Sequence, residues 1–406
     1  MTINKKLTIG LFGFGVVGEG IYKVLQQTPA LDASIKKICI KHPDKKRNAP
    51  SELFTANANE LLNDDSINVI VELIDDADAA FAIVSAAMKR KKAVVSANKK
   101  MIATHFEKLL QLQIENNVSF LYEAAVCGSV PVIRNLEEYY DNDLLNSFSG
   151  IVNGSTNFIL TKMKEENLNY DTALLQAQQL GFAESNPALD VEGKDAVNKL
   201  TIVLKHAYGI TANPESILHL GITHLNPFDT KYANEKGYNI KLVANAYQVT
   251  ENKIAAYVLP TFIVQKNPLY NIRNEFNGVL IGSKLADEQF LYGKGAGRFP
   301  TASAVLSDIA ALRYNYQYEY KKSSSGVKYQ LTGKSVIKIY VSFSDRTLVQ
   351  ENDFIEVEES YLSANINHLI GTILLDDLRN VTWFNNNAVS VIAISDISDT
   401  VNQNDN

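Results

Sequence analysis

A glycine-rich segment near the N-terminus restricts the folds open to this chain more than any other feature. Residues 7–12 predict a buried strand, and the segment 13–18 follows at once and opens a helical pattern. After a strand, glycines at this spacing permit a tight turn, bring the backbone close to a pyrophosphate and allow close helix packing. The segment therefore predicts a dinucleotide-binding loop. Its predicted cofactor-binding residues are Gly13, Phe14, Gly15, Val16, Val17 and Gly18.

Apolar periodicity along the following residues supports a dinucleotide-binding domain. Strand patterns lie at 35–40, 68–74, 93–96 and 118–122. Helical patterns lie between them, at about 59–63, 78–90 and 104–116. Such alternation is typical of an α/β fold with a doubly wound parallel sheet. We expect this domain over residues 1–148, completed by residues at about 298–320.

Residues 149–297 have a different order of helical and strand patterns. Helical patterns at 156–166, 170–180 and 193–208 precede strand patterns at 254–264 and 278–283. This mixture predicts an α+β catalytic and dimerisation domain over 149–297, with helices on one face of a largely antiparallel sheet.

The end of the chain predicts a third, smaller domain. A polar linker at 321–326 marks a boundary. Beyond the linker, strand patterns lie at 336–344, 352–358 and 387–394, and a helical pattern lies at 362–376. They predict a C-terminal α+β domain over 330–398.

The composition, 46% hydrophobic and 21% charged, is that of a soluble globular protein. A net charge of −6 gives no electrostatic reason to expect nucleic acid. The apolar run at 7–17 is too short to cross a bilayer, and two cysteines cannot build a disulfide framework. We expect a cytoplasmic protein with a small-molecule substrate and no nucleic-acid or membrane partner.

The end of the second predicted strand bears on the choice of cofactor. NAD-binding proteins place an acidic residue there for the ribose hydroxyls. This chain instead has Lys41, followed by the basic residues 45–47. A basic cluster suits the 2′-phosphate of NADP, although a solvated charged loop is an alternative interpretation. NADP is therefore the favoured cofactor, with NAD as the other possibility.

One helical pattern carries charges on an apolar background. Asp195 and Lys199 are four residues apart, hence on one helix face, beside Val197, Leu200 and Ile202. A surface ion pair at this spacing contributes only about 0.3–0.5 kcal/mol and requires no function. On so apolar a helix, charges are costly unless they serve a site. The flanking residues therefore favour a functional pair.

In their order, these motifs resemble those of the homoserine dehydrogenase family. The resemblance covers residues 7 to about 312 and begins with the glycine-rich loop. It continues through SANKK at 96–100, YEAAVCGSVP at 122–131, GIVNGSTN at 150–157 and the segment 180–199. The glycine run that begins at 293 resembles the family's closing motif, which returns to the cofactor domain.

The resemblance implies NAD(P)H-dependent reduction of L-aspartate 4-semialdehyde to L-homoserine, and the reverse, in threonine and methionine biosynthesis. It implies that Lys199 is the general acid, that Asp195 orients it and that Lys99 lies near the nicotinamide. The implied substrate-binding residues are Glu184, Asp190, Gly154 and Ser155.

Further ligands are implied by the same resemblance. Beyond the glycine-rich loop, the implied cofactor contacts are Lys41, Lys99, Gly181, Gly295 and Gly297. The implied ligands of a sodium ion are the carboxylate of Glu123 and the carbonyls of Val126, Gly128 and Val130. A homodimer is also implied. Residues 330–398 resemble a shortened ACT domain, for which threonine sensing and a dimerisation or packing role are both open.

The loop 75–78 departs from the family pattern. Three aspartates stand there in place of a glycine-rich loop, and their carboxylates would repel phosphate and weaken cofactor binding. This loop is the main support for an alternative, a catalytically impaired nucleotide-binding regulatory protein. Another NAD(P)-dependent amino-acid dehydrogenase is a second alternative, against which the segment 180–199 argues.

Overall fold

The structure, a computed structural model, describes residues 6–42, 45–142, 144–324 and 326–395. The chain forms two compact units. Unit 1 comprises Met1–Asn142, Thr201–Asn213 and Lys294–Ser325, and unit 2 comprises Asp143–Leu200, Pro214–Gly293 and Gly326–Asn406. Within the described ranges, no helix is both long and apolar enough to cross a membrane.

Unit 1 contains a six-stranded sheet in which every strand pair is parallel. Its strands are β1 (Leu7–Phe12), β2 (Ala33–Cys39), β3 (Phe54–Thr55), β4 (Val69–Glu72), β5 (Ala93–Ser96) and β6 (Phe120–Leu121). They are arranged in the order β3-β2-β1-β4-β5-β6. The order reverses at β1, and ligands of open α/β sheets bind beyond the carboxyl ends of the strands at such a point. The predicted parallel sheet is confirmed.

The first helices alternate with these strands or follow them. They are α1 (Val16–Gln27), α2 (Asn59–Leu62), α3 (Ala77–Lys89), α4 (Lys99–Asn116), α5 (Ala124–Cys127) and α6 (Val132–Arg134). The helix α4 begins at Lys99, earlier than the predicted 104, because the Asn98 side chain accepts a hydrogen bond from the Met101 N–H and caps it. The non-helical backbone of His105 (φ −114°) interrupts α4 close to its first turns.

Unit 2 is built on an eleven-stranded mixed sheet. Its first strands are β7 (Leu145–Ile151), β8 (Leu218–His219), β9 (Asn239–Thr250), β10 (Lys253–Ile263), β11 (Phe276–Ser283) and β12 (Asp287–Lys294). Its later strands are β13 (Gln330–Leu331), β14 (Val336–Phe343), β15 (Glu356–Tyr361), β16 (Asn367–Leu374) and β17 (Val389–Ile394). The main order is β12-β11-β7-β9-β10-β17-β14-β16-β15. An α+β fold was expected here, and the mixed sheet with its helices confirms it.

The remaining helices follow in chain order. They are α7 (Gly154–Glu165), α8 (Tyr170–Gln179), α9 (Ala188–Val191), α10 (Lys194–Tyr208), α11 (Pro227–Lys236), α12 (Arg298–Leu312), α13 (Lys321–Ser324) and α14 (Leu375–Asn380). Both α12 and α13 lie within unit 1. There α12 packs on α1, since a Cβ on Gly20 would lie 2.7 Å from the Arg298 carbonyl oxygen.

The C-terminal strands extend the sheet of unit 2, because β17 pairs with β10 and β14 pairs with β17. The helix predicted at 362–376 is wrong. Residues 367–374 form β16, between β14 and β15, and a short helix follows it. Apolar periodicity cannot distinguish a short buried strand from a buried helix. Close packing of Gly371 against β15 favours the strand over the helix. A Cβ on Gly371 would lie 2.4 Å from the Glu356 carbonyl oxygen.

A buried glutamate ends β4 and ties it to β5. Glu72 is 0% exposed. Its Oε1 accepts a hydrogen bond from the Ile74 N–H (2.7 Å), and its Oε2 accepts one from the Ser96 hydroxyl (2.6 Å). Burial disfavours the charged form and raises the pKa of this carboxyl to about 7. Glu72 is therefore a source of pH-dependent stability in unit 1.

The pKa of Glu72 in the folded protein lies above its usual value of 4.5. The contribution of Glu72 to stability is therefore complete below about pH 4.5, and it is lost as the pH rises from there through about 7. The loss amounts to about 3 kcal/mol of unfolding free energy. We expect Glu72→Gln, which cannot ionise, to gain stability relative to wild type as the pH increases. Denaturant unfolding at a series of pH values measures this, with the exposed Glu52→Gln as the control for charge. A difference that is independent of pH would contradict the prediction.

Candidate active site

The glycine-rich loop joins β1 to α1 where the strand order of unit 1 reverses. Gly13 has a φ of +92°, and a Cβ on it would lie 2.5 Å from the Leu73 carbonyl oxygen. A Cβ on Gly18 would lie 2.4 Å from the Gly13 carbonyl oxygen. The protein's own packing thus requires glycine at these two positions.

Gly15 has no such internal reason to be glycine. A Cβ at this position would meet nothing within 4 Å. Gly15 is also the N-cap of α1, with no side-chain cap, whereas Asp or Asn side chains cap α3, α4, α7 and α8. Next to it, the apolar Val16 is 60% exposed. Open space beside the unpaired N–H groups of a helix terminus fits a bound pyrophosphate.

Other predicted cofactor residues lie around this loop in unit 1. The partly buried Phe14 makes edge-to-face contacts with Tyr22 and Phe54, at ring distances of 5.8 Å and 5.1 Å. Exposed Lys41 follows β2, and its charge helps to lower the pKa of Asp76. Val17 is partly buried in the first turn of α1. Lys99, the first residue of α4, follows β5 at the carboxyl end of the sheet.

The acidic loop 75–78 also lies close to the glycine-rich loop, because the Leu73 carbonyl approaches Gly13. One of its acids has a structural role: the Asp76 side chain accepts a hydrogen bond from the Ala79 N–H (2.9 Å) and caps α3, which lowers the pKa of Asp76. Asp75 and Asp78 are both exposed. Among the described residues, neither carboxylate caps a helix, and Asp78 Oδ1 lies 3.7 Å from His105 Nε2; both would repel a phosphate.

In unit 2, the predicted charged pair is buried. Lys199 is 8% exposed and Asp195 is 4% exposed. The Lys199 ammonium donates to Asp195 Oδ2 at 2.8 Å and to the Val152 carbonyl oxygen at 2.6 Å. Asn277 also donates to that carbonyl, at 3.2 Å. Such burial is far from a surface ion pair, and it agrees with the functional interpretation of the helix.

An asparagine that sequence reasoning did not select completes this cluster. The Asn153 Nδ2 donates to Asp190 Oδ1 (2.7 Å) and to Asp195 Oδ2 (2.8 Å). Asn153 precedes the helix that begins at Gly154, and asparagine is a favoured N-cap residue, so the cap is visible in the sequence. Nothing in the sequence indicates the contacts with the two acids.

The other predicted substrate residues of unit 2 lie outside this hydrogen-bonded cluster. Glu184 is exposed, and Ser155 is partly buried in the first turn of α7. Gly154 approaches a neighbouring segment, since a Cβ on it would lie 2.7 Å from the Glu275 carbonyl oxygen. Gly181, an implied cofactor contact, is exposed in the turn after α8 with a φ of +78°.

The predicted sodium ligands lie in a buried, charged part of unit 1. Glu123 accepts hydrogen bonds from the N–H groups of Ile133 and Arg134, each at 2.9 Å. Its own N–H donates to Asp308, which forms an ion pair with Arg134 at 2.9 Å. Burial, with Asp308 nearby, raises the pKa of Glu123 to about 7, and burial raises that of Asp308 to about 6.

Two buried carboxylates thus face one guanidinium, and a monovalent cation would balance the second negative charge. The segment carrying the predicted carbonyl ligands is also tightly packed. Val126 and Val130 are buried. Gly128 has a φ of +54°, and a Cβ on it would lie 2.4 Å from the Gly295 carbonyl oxygen. Gly297 (φ +119°) precedes α12 as its N-cap. The Val130 carbonyl accepts a hydrogen bond from the Val132 N–H at 3.0 Å, and carboxylate and carbonyl oxygens are the ligand type that a hard cation requires.

A dinucleotide cradle in unit 1 and a buried lysine–aspartate pair in unit 2 define a nicotinamide-dependent oxidoreductase as the class of protein. Comparison with protein families specifies it further. The model described as homoserine dehydrogenase, NAD binding domain, matches residues 13–123, and the homoserine dehydrogenase model matches residues 131–310.

Curated relatives and solved structures agree with this. The homoserine dehydrogenase of Bacillus subtilis is 35% identical over 83% of this chain and 80% of the relative, and that of Helicobacter pylori is 33% identical over 93% and 90%. The crystal structure of a homoserine dehydrogenase from Thiobacillus denitrificans aligns with a TM-score of 0.86 at 27% identity, over 97% of this chain and 99% of that one. A hyperthermophilic archaeal homoserine dehydrogenase mutant in complex with NADPH aligns with a TM-score of 0.66 at 25% identity, over 78% and 100%.

This chain belongs to the homoserine dehydrogenase family. It is an NAD(P)-dependent oxidoreductase that interconverts L-aspartate 4-semialdehyde and L-homoserine. The expectation drawn from the ordered sequence motifs is confirmed.

Removing the exposed carboxylates of the acidic loop tests its effect on the cofactor. We expect Asp75→Asn combined with Asp78→Asn to tighten NADPH binding by roughly five-fold at low salt, because each carboxylate repels phosphate. Fluorescence titration measures the dissociation constants, and added salt reduces the difference. Asp65→Asn is the matched control. Asp65 is exposed and precedes β4, at the amino ends of the strands and not at the carboxyl ends. Ordinary micromolar affinity in the wild type would refute the predicted weak binding.

Proposed function

We propose that Lys199 is the general acid in aldehyde reduction and the general base in homoserine oxidation. The observation that carries this proposal is its pair of hydrogen bonds, to Asp195 Oδ2 and to the Val152 carbonyl oxygen. An ammonium group has three hydrogens, so these contacts leave one for a substrate oxygen. Asp195 orients the lysine and balances its charge.

The proposed chemistry is a coupled hydride and proton transfer. When bound, the nicotinamide cofactor supplies the hydride to the aldehyde carbon. Lys199 donates its free hydrogen to the aldehyde oxygen, which becomes the hydroxyl of homoserine. In the reverse direction, neutral Lys199 accepts the hydroxyl proton. Lys99, at the carboxyl end of β5, is proposed to contact the nicotinamide and the substrate.

Asp190 and Glu184 are the proposed ligands of the substrate's ammonium group. Asp190 is partly exposed, and Asn153 contacts it at Oδ1. Glu184 is exposed, so its negative charge is accessible to a ligand. Carboxylates form strong, charge-assisted hydrogen bonds with ammonium groups. The backbone of Gly154 and Ser155, at the N-terminus of α7, is proposed to approach the amino acid.

We also propose NADP as the preferred cofactor. The loop that opens α1 supplies the pyrophosphate site, and exposed Lys41 supplies a positive charge for the 2′-phosphate. The archaeal structure in complex with NADPH supports the same choice. Gly181, Gly295 and Gly297 remain proposed backbone contacts. A higher kcat/KM with NADP than with NAD, measured on homoserine, is the expected signature.

The general-acid proposal is tested with Lys199→Ala. We expect kcat for NADPH-dependent reduction of aspartate semialdehyde to fall by about 10²–10⁴-fold, since the proton donor is lost. NADPH binding, followed by fluorescence, should be retained. Lys194→Ala is the matched control, because this lysine lies on the same helix with its side chain 53% exposed. Unchanged turnover in Lys199→Ala would refute the assigned role.

A sodium ion is proposed to bind Glu123 and the carbonyls of Val126, Gly128 and Val130. The two carboxyl groups of Glu123 and Asp308 beside the single guanidinium of Arg134 support a monovalent cation there. When bound, the ion supplies positive charge that stabilises this segment.

Removal of sodium tests this proposal. After exchange into tetramethylammonium chloride, we expect a lower melting temperature and lower activity, both restored by sodium chloride at equal ionic strength. In Glu123→Gln the response to sodium should disappear. An identical response in both proteins would argue against the site.

A homodimer and a cytoplasmic location complete the proposal, in keeping with a biosynthetic enzyme family. For the C-terminal residues 330–398, the ACT-like assignment stays a prediction. The catalytically impaired alternative is less well supported, since Lys199, Asp195 and Asp190 are present and joined through hydrogen bonds.

A further inference from the structure

Asn153 lies between β7 and α7 and is 4% exposed. The two ends of its amide have different partners. The oxygen accepts hydrogen bonds from the Thr156 N–H (2.8 Å) and the Thr156 hydroxyl (2.9 Å), which caps α7. The nitrogen donates to Asp190 at 2.7 Å and to Asp195 at 2.8 Å. One side chain therefore joins a helix terminus to two functional acids.

We propose that Asn153 is a positioning residue that fixes the substrate-binding Asp190 and the Asp195–Lys199 pair relative to each other. This inference rests on the proposed roles of those three residues. An amide nitrogen carries two hydrogens and no charge, so it bridges two carboxylates that would otherwise repel each other. Because its oxygen is held by α7, the bridge has a defined position in unit 2.

Helix capping alone does not account for asparagine at this position. Serine and aspartate cap helices about as well as asparagine, but neither ionised aspartate nor serine can donate two hydrogen bonds from there. Asn169 provides the contrast in this chain. Its oxygen caps α8 through the Thr172 N–H at 2.9 Å, and its amide nitrogen donates to no carboxylate among the described residues. The two acids at Asn153 distinguish it from a simple cap.

The consequence for catalysis follows from the shared acceptor. Asp195 Oδ2 accepts hydrogen bonds from both Asn153 and Lys199. Loss of the amide removes one of the hydrogen bonds that fix Asp195 Oδ2, and this oxygen is the acceptor that orients the Lys199 ammonium. Misplacement of a reacting group by about 1 Å costs on the order of 10²-fold in rate. Asp190 loses its restraint at the same time, so both turnover and substrate binding depend on this residue.

The test is Asn153→Ser, which keeps a cap but replaces the two N–H donors with a single O–H. We expect kcat to fall on the order of 10²-fold and KM for homoserine to rise, while KM for NADP and the melting temperature stay close to those of Asn169→Ser. A residue that acts only as a cap would not affect homoserine kinetics selectively. Asn153→Asp, which keeps a cap but replaces the donor with a third carboxylate, should lose at least as much activity.

Three outcomes overturn the inference: wild-type kinetics in Asn153→Ser, a KM for NADP that rises as much as that for homoserine, or a loss of activity no larger than the loss of folded protein. If Asn153→Ser folds poorly, its kinetics are measured beside those of Asn169→Ser at a lower temperature at which both variants are folded. Lys199→Ala separates this inference from the proposed function. If Lys199→Ala is inactive and Asn153→Ser is fully active, only the positioning role of Asn153 is refuted. If Lys199→Ala is active, the general-acid role of Lys199, on which the positioning role rests, is refuted.

Discussion

Burial of an ion pair is the constraint on which the architecture of unit 2 depends. Removing Lys199 and Asp195 from water costs several kcal/mol, and the cost is offset only if their hydrogen-bonding groups find partners. The Val152 carbonyl and Asn153 provide these partners. Both residues follow β7, which lies between β11 and β9 in the sheet. The hydrogen bonds that hold β7 in the sheet therefore determine where the Lys199 ammonium is held.

Unit 1 supports its ligand by the opposite arrangement, in which polar groups stay without a protein partner. Side chains cap the helices α3 and α4, but Gly15 leaves the N-terminus of α1 uncapped and its approach open. An unsatisfied helix terminus attracts an anion through its N–H groups and its dipole. The contrast between satisfied and unsatisfied termini, at the point where the strand order reverses, marks the cofactor site more clearly than the glycines alone.

Sequence reasoning succeeded where the signal is local and failed where packing decides. The glycine-rich loop, the alternation of strands and helices, and the Asp195–Lys199 spacing are patterns within a few residues, and the structure contains the corresponding elements. The helix expected at 362–376 is a strand because contact with β15 overrides its ambiguous periodicity. The contacts of Asp308 were not predicted, because its partners, Glu123 and Arg134, are far away in the chain.

The sequence by itself determined that the chain binds a dinucleotide, that it alternates strands with helices, and that an acid and a lysine share one helix face. Only the tertiary structure decided which groups those charges meet. Asn153 reaches acids 37 and 42 positions away, and Lys199 reaches a carbonyl 47 positions away. Helix periodicity carries information over a few residues, whereas burial and hydrogen bonding depend on distances in space. Folding alone turns a pair of charges at helical spacing into an oriented, desolvated site.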